Sequence, residues 1–255
     1  MADPEVLDVL DEVARAVRSA LDGLDDWGLA GTREGQYRSD LVADKVALDV
    51  LEAAGFGCIS EESGVHHPER RITVVLDPVD GSTNASRGLP WWATSACALD
   101  ADGPLAAVVV NQATGTRFAA RRGEGATKDR EPIRPTDCRS FRECTVAFSG
   151  FPRRWLGWSQ YRTLGAAALD LCAVASGALD AFIDCARRSL APWDYLGGML
   201  ICREAGGGVV DAFDGELVVR DPDARRTVVA AATPELLEEA VAARRAIASG
   251  PPSGV

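Results

Sequence analysis

The apolar run Ile72-Thr73-Val74-Val75-Leu76 leads directly into Asp77-Pro78-Val79-Asp80-Gly81-Ser82-Thr83-Asn84. No other feature restricts the fold of this chain as strongly. The run reads as a buried strand, and the segment after it sets two carboxylates, a hydroxyl and a tight turn at the strand's end. Negative charge brought to a sheet edge in this way is costly to bury without a partner. Carboxylate and carbonyl oxygens suit a hard divalent cation, Mg²⁺ or Mn²⁺.

With 255 residues, the chain can bury a core as one large domain or two small ones. Its 47% hydrophobic and 25% charged content is ordinary for a globular protein. A formal net charge of −11 argues against nucleic acid as the main partner, because such binding needs a basic face. There is no charged-then-apolar leader pattern and no run of 18 apolar residues, so a cytoplasmic protein without a membrane partner is expected. None of the seven cysteines forms a CxxC pair, which predicts buried free thiols in a reducing compartment.

Asp3-Pro4-Glu5 reads as a helix start, and Val6, Leu7, Leu10, Val13, Val17 and Leu21 follow at helical spacing. Residues 31–39 are polar and loop-like. A second helix is predicted over 40–54, then strands over 56–59 and 72–76. A hairpin over 94–99 and 105–110 turns at Asp100-Ala101-Asp102-Gly103, and 116–120 continues the sheet. Residues 121–140, rich in Arg, Gly, Pro and Asp, read as a linker. The second half is predicted as a strand at 144–148, a helix at 164–175, a strand at 181–183 and a helix at 194–205 closed by Gly206-Gly207-Gly208. Strands at 209–211 and 227–231, a helix over 234–247 and a disordered tail over 249–255 complete it. The mixture without strict βαβ alternation predicts a layered α/β (α+β) fold. Its expected halves are 1–140 and 141–248.

Three acidic spots each end or begin a separate element: Glu61-Glu62, Asp77 with Asp80, and Asp194. Taken singly, they also read as a surface turn, an Asx turn and a helix N-cap. Taken together, they can converge on one point. The Val79 carbonyl offers a further oxygen ligand, and Gly81-Ser82-Thr83 can open a helix whose free N–H groups attract an anion. Metal ligands beside such amides suit metal-assisted phosphoester hydrolysis.

Four patches in order make the chain resemble the inositol monophosphatase family of metal-dependent, lithium-sensitive sugar phosphatases. Asp40-Leu41-Val42-Ala43-Asp44 is similar to D-L-V-T-x-x-D, and Ser60-Glu61-Glu62-Ser63 to G-E-E-S. Residues 77–84 match D-P-[IV]-D-G-[ST]-T-N at every position, and Trp193-Asp194 through Glu204-Ala205-Gly206-Gly207 resembles the W-D…E-A-G-G patch. The resemblance implies an alternating α-β-α-β-α sandwich and a homodimer acting on a small phosphorylated polyol or sugar. It also implies two or three Mg²⁺ ions: Glu61, Asp77 and the Val79 carbonyl for the first, Asp77, Asp80 and Asp194 for the second, and Glu62 helping to place a third. Ser82, standing for the family's Thr, and Asp44 would orient and deprotonate water. The Gly81 and Ser82 amides would bind phosphate. Gly165, Ala166 and Ala167 would approach the substrate ring, and Asp184 would accept a substrate hydroxyl, unless it is an exposed strand-end acid. Fructose-1,6-bisphosphatase or histidinol-phosphatase activity is the alternative, and a catalytically silent metal-binding scaffold the second.

Three departures stand out. The loop before Asp40 lacks the family's Lys, a charge Arg38 can supply. The segment from Phe151-Pro152 to Arg162 is short, which bears on the dimer contact. The stretch from Asp184 to Asp194 is long and carries Arg187 and Arg188, which can face a second phosphate or remain solvated. His66-His67 read as surface residues. Of Trp91 and Trp92, one is expected in the core and one at a rim, and Trp155 with Trp158 as a contact patch.

Overall fold

A computed structural model of the protein describes residues 5–33, 35–186 and 188–248. Helix α1 (Val6–Asp22) buries Leu10, Val13, Val17 and Leu21 of the predicted stripe together with Val9, while Val6 and Leu7 are half-buried. Its expected capping residues Asp3 and Pro4 lie outside the described residues. Helix α2 (Arg38–Ala53) starts two residues earlier than predicted. The reason is local: the Asp40 carboxylate reaches back and accepts the Tyr37 backbone N–H at 2.9 Å, so Asp40 stands one turn inside the helix.

Strands β1 (Gly57–Ser60), β2 (Gly64–His66), β3 (Thr73–Asp80), β4 (Ala93–Asp100), β5 (Gly103–Asn111) and β6 (Arg117–Arg121) follow, with the short helix α3 (Ser82–Ser86) after β3. The predicted linker is instead the end of this sheet. It supplies β7 (Ala126–Lys128) and β8 (Glu131–Pro132), and its Gly-rich composition serves the turns, where Gly123 and Gly125 take positive φ. The eight strands run in the order β2-β1-β3-β4-β5-β6-β7-β8. The second half contributes β9 (Thr145–Ser149), β10 (Gln160–Arg162), α4 (Ala167–Ala175), β11 (Ala181–Asp184), α5 (Pro192–Glu204), β12 (Gly208–Asp211), β13 (Val228–Ala231) and α6 (Pro234–Ala248). Its sheet order is β10-β9-β11-β13-β12. Strand β10 was not predicted, and α4 begins three residues later than expected because Gly165 takes φ +85°. The tail at 249–255 lies outside the described residues.

Three apolar clusters arrange these parts in layers. Helices α1 and α2 cover one face of the large sheet through Leu10, Val13, Ala47, Val74 and Leu76. Helices α4 and α5 fill the space between the sheets, where Val75, Cys97 and Val109 meet Leu171, Leu196 and Met199 and, beyond them, Phe182 and Ala230. Helix α6 covers the far face of the small sheet through Leu236 and Ala240 against Val146 and Ile183. The result is the α-β-α-β-α sandwich. The middle layer is tight: a Cβ on Gly198 of α5 would stand 2.7 Å from the Leu171 Cβ of α4, so only glycine lets the two helices approach this closely. All seven cysteines are free, as expected. Trp92 is buried, Trp91 half-buried. Trp158 is buried under Phe148 and Phe141, while Trp155 and Phe151 are 70% and 80% exposed. Among the described residues, no helix is long and apolar enough to cross a membrane.

Candidate active site and metal centre

All eight residues of β3 are buried. The strand pairs in parallel with β1, with Ser60 opposite Leu76, so the next residues of both strands, Glu61 and Asp77, emerge side by side. The Glu61 N–H bonds the Leu76 carbonyl at 3.1 Å and fixes that placement. On its other edge β3 pairs antiparallel with β4, and the register slips between Asp77 and Asp80. Such a bulge re-aims side chains, and here the segment predicted as a turn stays in the sheet through Asp80. Thr94 Oγ1 holds the Pro78 carbonyl at 2.9 Å.

Asp194 is the third contributor. It is not the N-cap of α5 but lies in its first turn, with its carboxylate accepting the Ala191 N–H at 2.7 Å. Carboxylate oxygens of Glu61, Asp77 and Asp194 all lie within 4.8 Å of one another. Asp80 lies against the same group from the small-residue side: its Oδ2 accepts the Ala168 N–H at 2.8 Å at the start of α4.

The electrostatics follow from burial. Asp77 is 2% exposed and its carboxyl is raised well above the ordinary range, first by burial and then by the charges of Glu61, Asp80 and Asp194. Burial, then the Asp194 and Glu62 charges, pushes Glu61 up to about 8. Burial likewise pushes Asp80 up to about 8 and Asp194, with the charge of Asp80, up to about 7. Four oxygen donors that repel one another in a buried place form a hard, all-oxygen set, and that set fits a cation such as Mg²⁺.

Helix α3 starts at Gly81, whose φ of +88° only glycine adopts at low cost. A Cβ there would lie 3.2 Å from the Gly165 carbonyl, the Ala166 Cβ and the Trp91 carbonyl. The turn is thereby pressed against the Gly165-Ala166-Ala167 stretch that opens α4. Asn84 fastens the contact, donating to the Trp91 and Leu164 carbonyls at 2.8 and 2.7 Å.

Ser82 faces Asp40 rather than Asp44: burial raises the Asp40 carboxyl, and the Ser82 hydroxyl beside it works against that rise. Asp44, one turn further along α2, instead accepts a hydrogen bond from Ser60 Oγ. Sequence reading missed Asp40 in this place. The available signal was the three-residue step from the N-cap Tyr37 to Asp40, which points the carboxylate back to the helix start. The loop cation also differs from the expectation. Arg38 pairs with Asp26, whereas Arg33 Nη2 reaches Glu62 Oε2 at 3.0 Å and Gln36 Nε2 donates to the same oxygen. Glu62 is thus held beside, rather than inside, the three-carboxylate group.

Asp170 is a second residue the sequence reading passed over. It is 1% exposed, takes the Trp91 Nε1–H at 3.0 Å, and burial pushes it up to about 8. Asp184 is fully buried, which excludes the exposed strand-end alternative. It accepts from Ser189 Oγ at 2.8 Å and the Ala186 N–H at 3.0 Å. Arg187 lies outside the described residues. Arg188 is exposed at φ +51°, with its backbone N–H on Thr227 Oγ1. Glu204, from the fourth sequence patch, serves structure: it accepts the Gly123 and Gly125 N–H groups and fastens the β6–β7 turn to α5.

A family model described as "Inositol monophosphatase family" matches residues 32–249. The fructose-1,6-bisphosphatase/inositol-1-monophosphatase of Archaeoglobus fulgidus is 31% identical over 254 residues, covering 93% of this chain and 99% of that protein. A Pyrococcus horikoshii protein, described as having similarities to inositol-1 monophosphatase, superposes with a TM-score of 0.83 at 26% identity, over 93% of this chain and 97% of that one. The extragenic suppressor protein SuhB of Bartonella henselae does so with a TM-score of 0.80 at 29% identity, over 96% and 99%. With the same carboxylates converging at the ends of β1, β3 and the start of α5, the chain belongs to the inositol monophosphatase family.

Proposed function

We propose that the protein is a Mg²⁺-dependent phosphomonoesterase that hydrolyses a small polyol or sugar phosphate. The family is one of metal-dependent phosphatases, and the observation that carries the reading is the Glu61–Asp77–Asp194 group with Asp80 beside it. Glu61, Asp77, Asp80, Asp194 and the Val79 carbonyl would hold the cations, with Mn²⁺ an alternative ion and Glu62 placing a third. When bound, the ions supply the positive charge that offsets phosphate and lowers the pKa of water.

The chain's own residues do the rest. Ser82 donates its proton to Asp40, which leaves a hydroxyl lone pair aimed outward to accept a proton from the attacking water. Raised by burial, Asp40 is a stronger proton acceptor than an ordinary carboxylate. In this proposal Asp40 therefore takes the part that the family resemblance implied for Asp44. The Gly81 and Ser82 amides receive the phosphate, and Gly165, Ala166 and Ala167 form the adjoining wall for the alcohol. Asp184 stays a candidate for a substrate hydroxyl, at the cost of exchanging its bond to Ser189.

The name of the Archaeoglobus fulgidus relative favours a second reading, in which fructose 1,6-bisphosphate is a substrate. The exposed Phe151, Trp155 and Tyr161 around the edge strand β10 support a homodimer, which light scattering checks directly. The test of function is phosphate release with Mg²⁺ from a panel of esters: inositol monophosphate, fructose 1,6-bisphosphate and histidinol phosphate, for the native protein and Asp80→Asn. No release from any ester would sink the enzyme reading in favour of a silent scaffold. Full activity of Asp80→Asn would sink the metal assignment.

A further inference from the structure

We propose that Tyr37 is a positioning residue that ties the preceding loop, through Leu29, Ala30, Arg33 and Gln36, to the Ser82 hydroxyl, an inference that rests on the hydrolase reading above. Helix α3 is lightly anchored. It has five residues, none fully buried, and only Ala85 packs against the core, so side-chain hydrogen bonds do much to set where it lies. On the side of the second half the anchor is Asn84, through the Trp91 and Leu164 carbonyls. On the side of the first half the anchor is Tyr37, whose hydroxyl lies 3.2 Å from Thr83 Oγ1.

Tyr37 acts at both ends of one ring of contacts. Its backbone N–H donates to Asp40 Oδ2 at 2.9 Å, Asp40 faces the Ser82 hydroxyl, Ser82 is followed in the chain by Thr83, and Thr83 Oγ1 returns to the Tyr37 hydroxyl at 3.2 Å. Rotating α3 by a few degrees would therefore break the Tyr37–Thr83 bond and turn Ser82 away from Asp40 together.

The loop enters the ring through the same residue. Tyr37 pairs with Leu29 in an isolated bridge, Arg38 N–H bonds the Gly28 carbonyl at 3.0 Å, and Ala30 N–H bonds the Gln36 carbonyl at 2.9 Å. These bonds make the loop a closed arm whose base is Tyr37. Its outer residues Arg33 and Gln36 grip Glu62 next to the carboxylate group. The state of that arm is thus relayed through one phenol to the residue that orients water.

Three variants test this: Tyr37→Phe, which keeps the ring and the backbone bond to Asp40, Thr83→Val, and the pair together. Tyr37→Phe should lower kcat by about threefold to tenfold, the effect of one hydrogen bond lost in the transition state, while KM changes by less than about twofold. Thr83→Val should lower kcat similarly, and the double variant should lose no more than either single one, because both remove the same bond. Independent of turnover, ¹³Cζ tyrosine spectra hold three resonances in this chain. The one removed by Tyr37→Phe should shift in Thr83→Val, and its titration should move to higher pH. Unchanged kcat in Tyr37→Phe, additive losses in the double variant, or a Tyr37 resonance indifferent to Thr83→Val would each overturn the proposal. A native protein inactive on every ester would overturn the hydrolase reading instead.

Discussion

Two aspartates, one in a strand of each sheet, are both nearly inaccessible to solvent, and they are held in opposite ways. Asp211, at the end of β12, is 7% exposed and accepts three backbone N–H groups, from Phe213 at 2.8 Å, Thr227 at 2.8 Å and Gly215 at 3.2 Å. Asp77, in β3, is 2% exposed and accepts one, from Val79 at 3.0 Å, while its other neighbours are the carboxylates of Glu61, Asp80 and Asp194. The amides of the β12–β13 turn answer the charge of Asp211 inside the chain. The charge of Asp77 is met by the single Val79 amide and otherwise faces three more acids. The contrast teaches that burial of an acid is no sign of function; the sign is burial among other acids.

Breaking each side of the contrast gives opposite results. Asp77→Asn should lower kcat/KM by more than about a hundredfold, beyond the range seen for residues that only support a metal ligand. It should also raise the urea midpoint of the metal-free protein at pH 8, because a buried repulsion is removed. Initial rates and urea titrations of one preparation measure both, and a variant that keeps its activity or loses stability contradicts the reading of Asp77.

The two acids of α2 sharpen the comparison at the next level. Asp40→Asn should reduce kcat by about a hundredfold or more, the range for a general base. Asp44→Asn should cost much less, since its bond is to Ser60 Oγ rather than to Ser82. If the order of the two effects is reversed in steady-state kinetics, the Asp40–Ser82 pairing is wrong. For Asp211, replacement by Ala strands three buried amides and should cost about 1–3 kcal/mol of stability by urea unfolding, with kcat intact.

The smallest effect expected is on pH dependence. Glu61 and Asp80 titrate near 8 and Asp194 near 7 in the folded protein, above their unfolded values, which lie near 4. The folded state therefore binds more protons than the unfolded state between these limits, and the stability of the metal-free protein should fall as pH rises from about 4 to about 8. Added Mg²⁺ should restore it most at the upper end, where the carboxylates are ionised. Melting curves with EDTA and with Mg²⁺ at pH 5 and pH 8 read this out; equal Mg²⁺ stabilisation at both values would contradict it.

Much of this was legible in the chain because the signals were local. The run at 72–76 and the stretch at 77–84 announced a strand, a turn and two acids by their own residues, and the stripe of α1 followed helical spacing. The errors are equally local in cause. Residues 121–140 read as a linker because their glycines and charges belong to turns, and a two- or three-residue strand such as β7 or β8 has too few positions to show alternation. β10 escaped for the same reason, its three residues all being exposed. Asp170 was invisible as a site residue because a single acid in an alanine-rich helix looks the same whether it faces Trp91 or solvent. The partners of Glu62 lie some 26 to 29 positions away in Arg33 and Gln36, and no spacing rule connects them.

The sequence by itself determined which residues carry negative charge at the ends of apolar runs and where the backbone must turn, as at Gly81. Hydrophobic burial and φ/ψ sterics act on short stretches, so they can be read from short stretches. Only the tertiary structure decided that Ser82 faces Asp40 rather than Asp44, that Arg33 rather than Arg38 meets Glu62, and that Asp211 is satisfied while Asp77 is not. Those outcomes depend on the parallel register of β1 with β3, on the bulge between Asp77 and Asp80, and on α5 entering the middle layer with Asp194 in its first turn. Electrostatic energy depends on distances between residues far apart in sequence, and those distances exist only once the sheets and helices have packed.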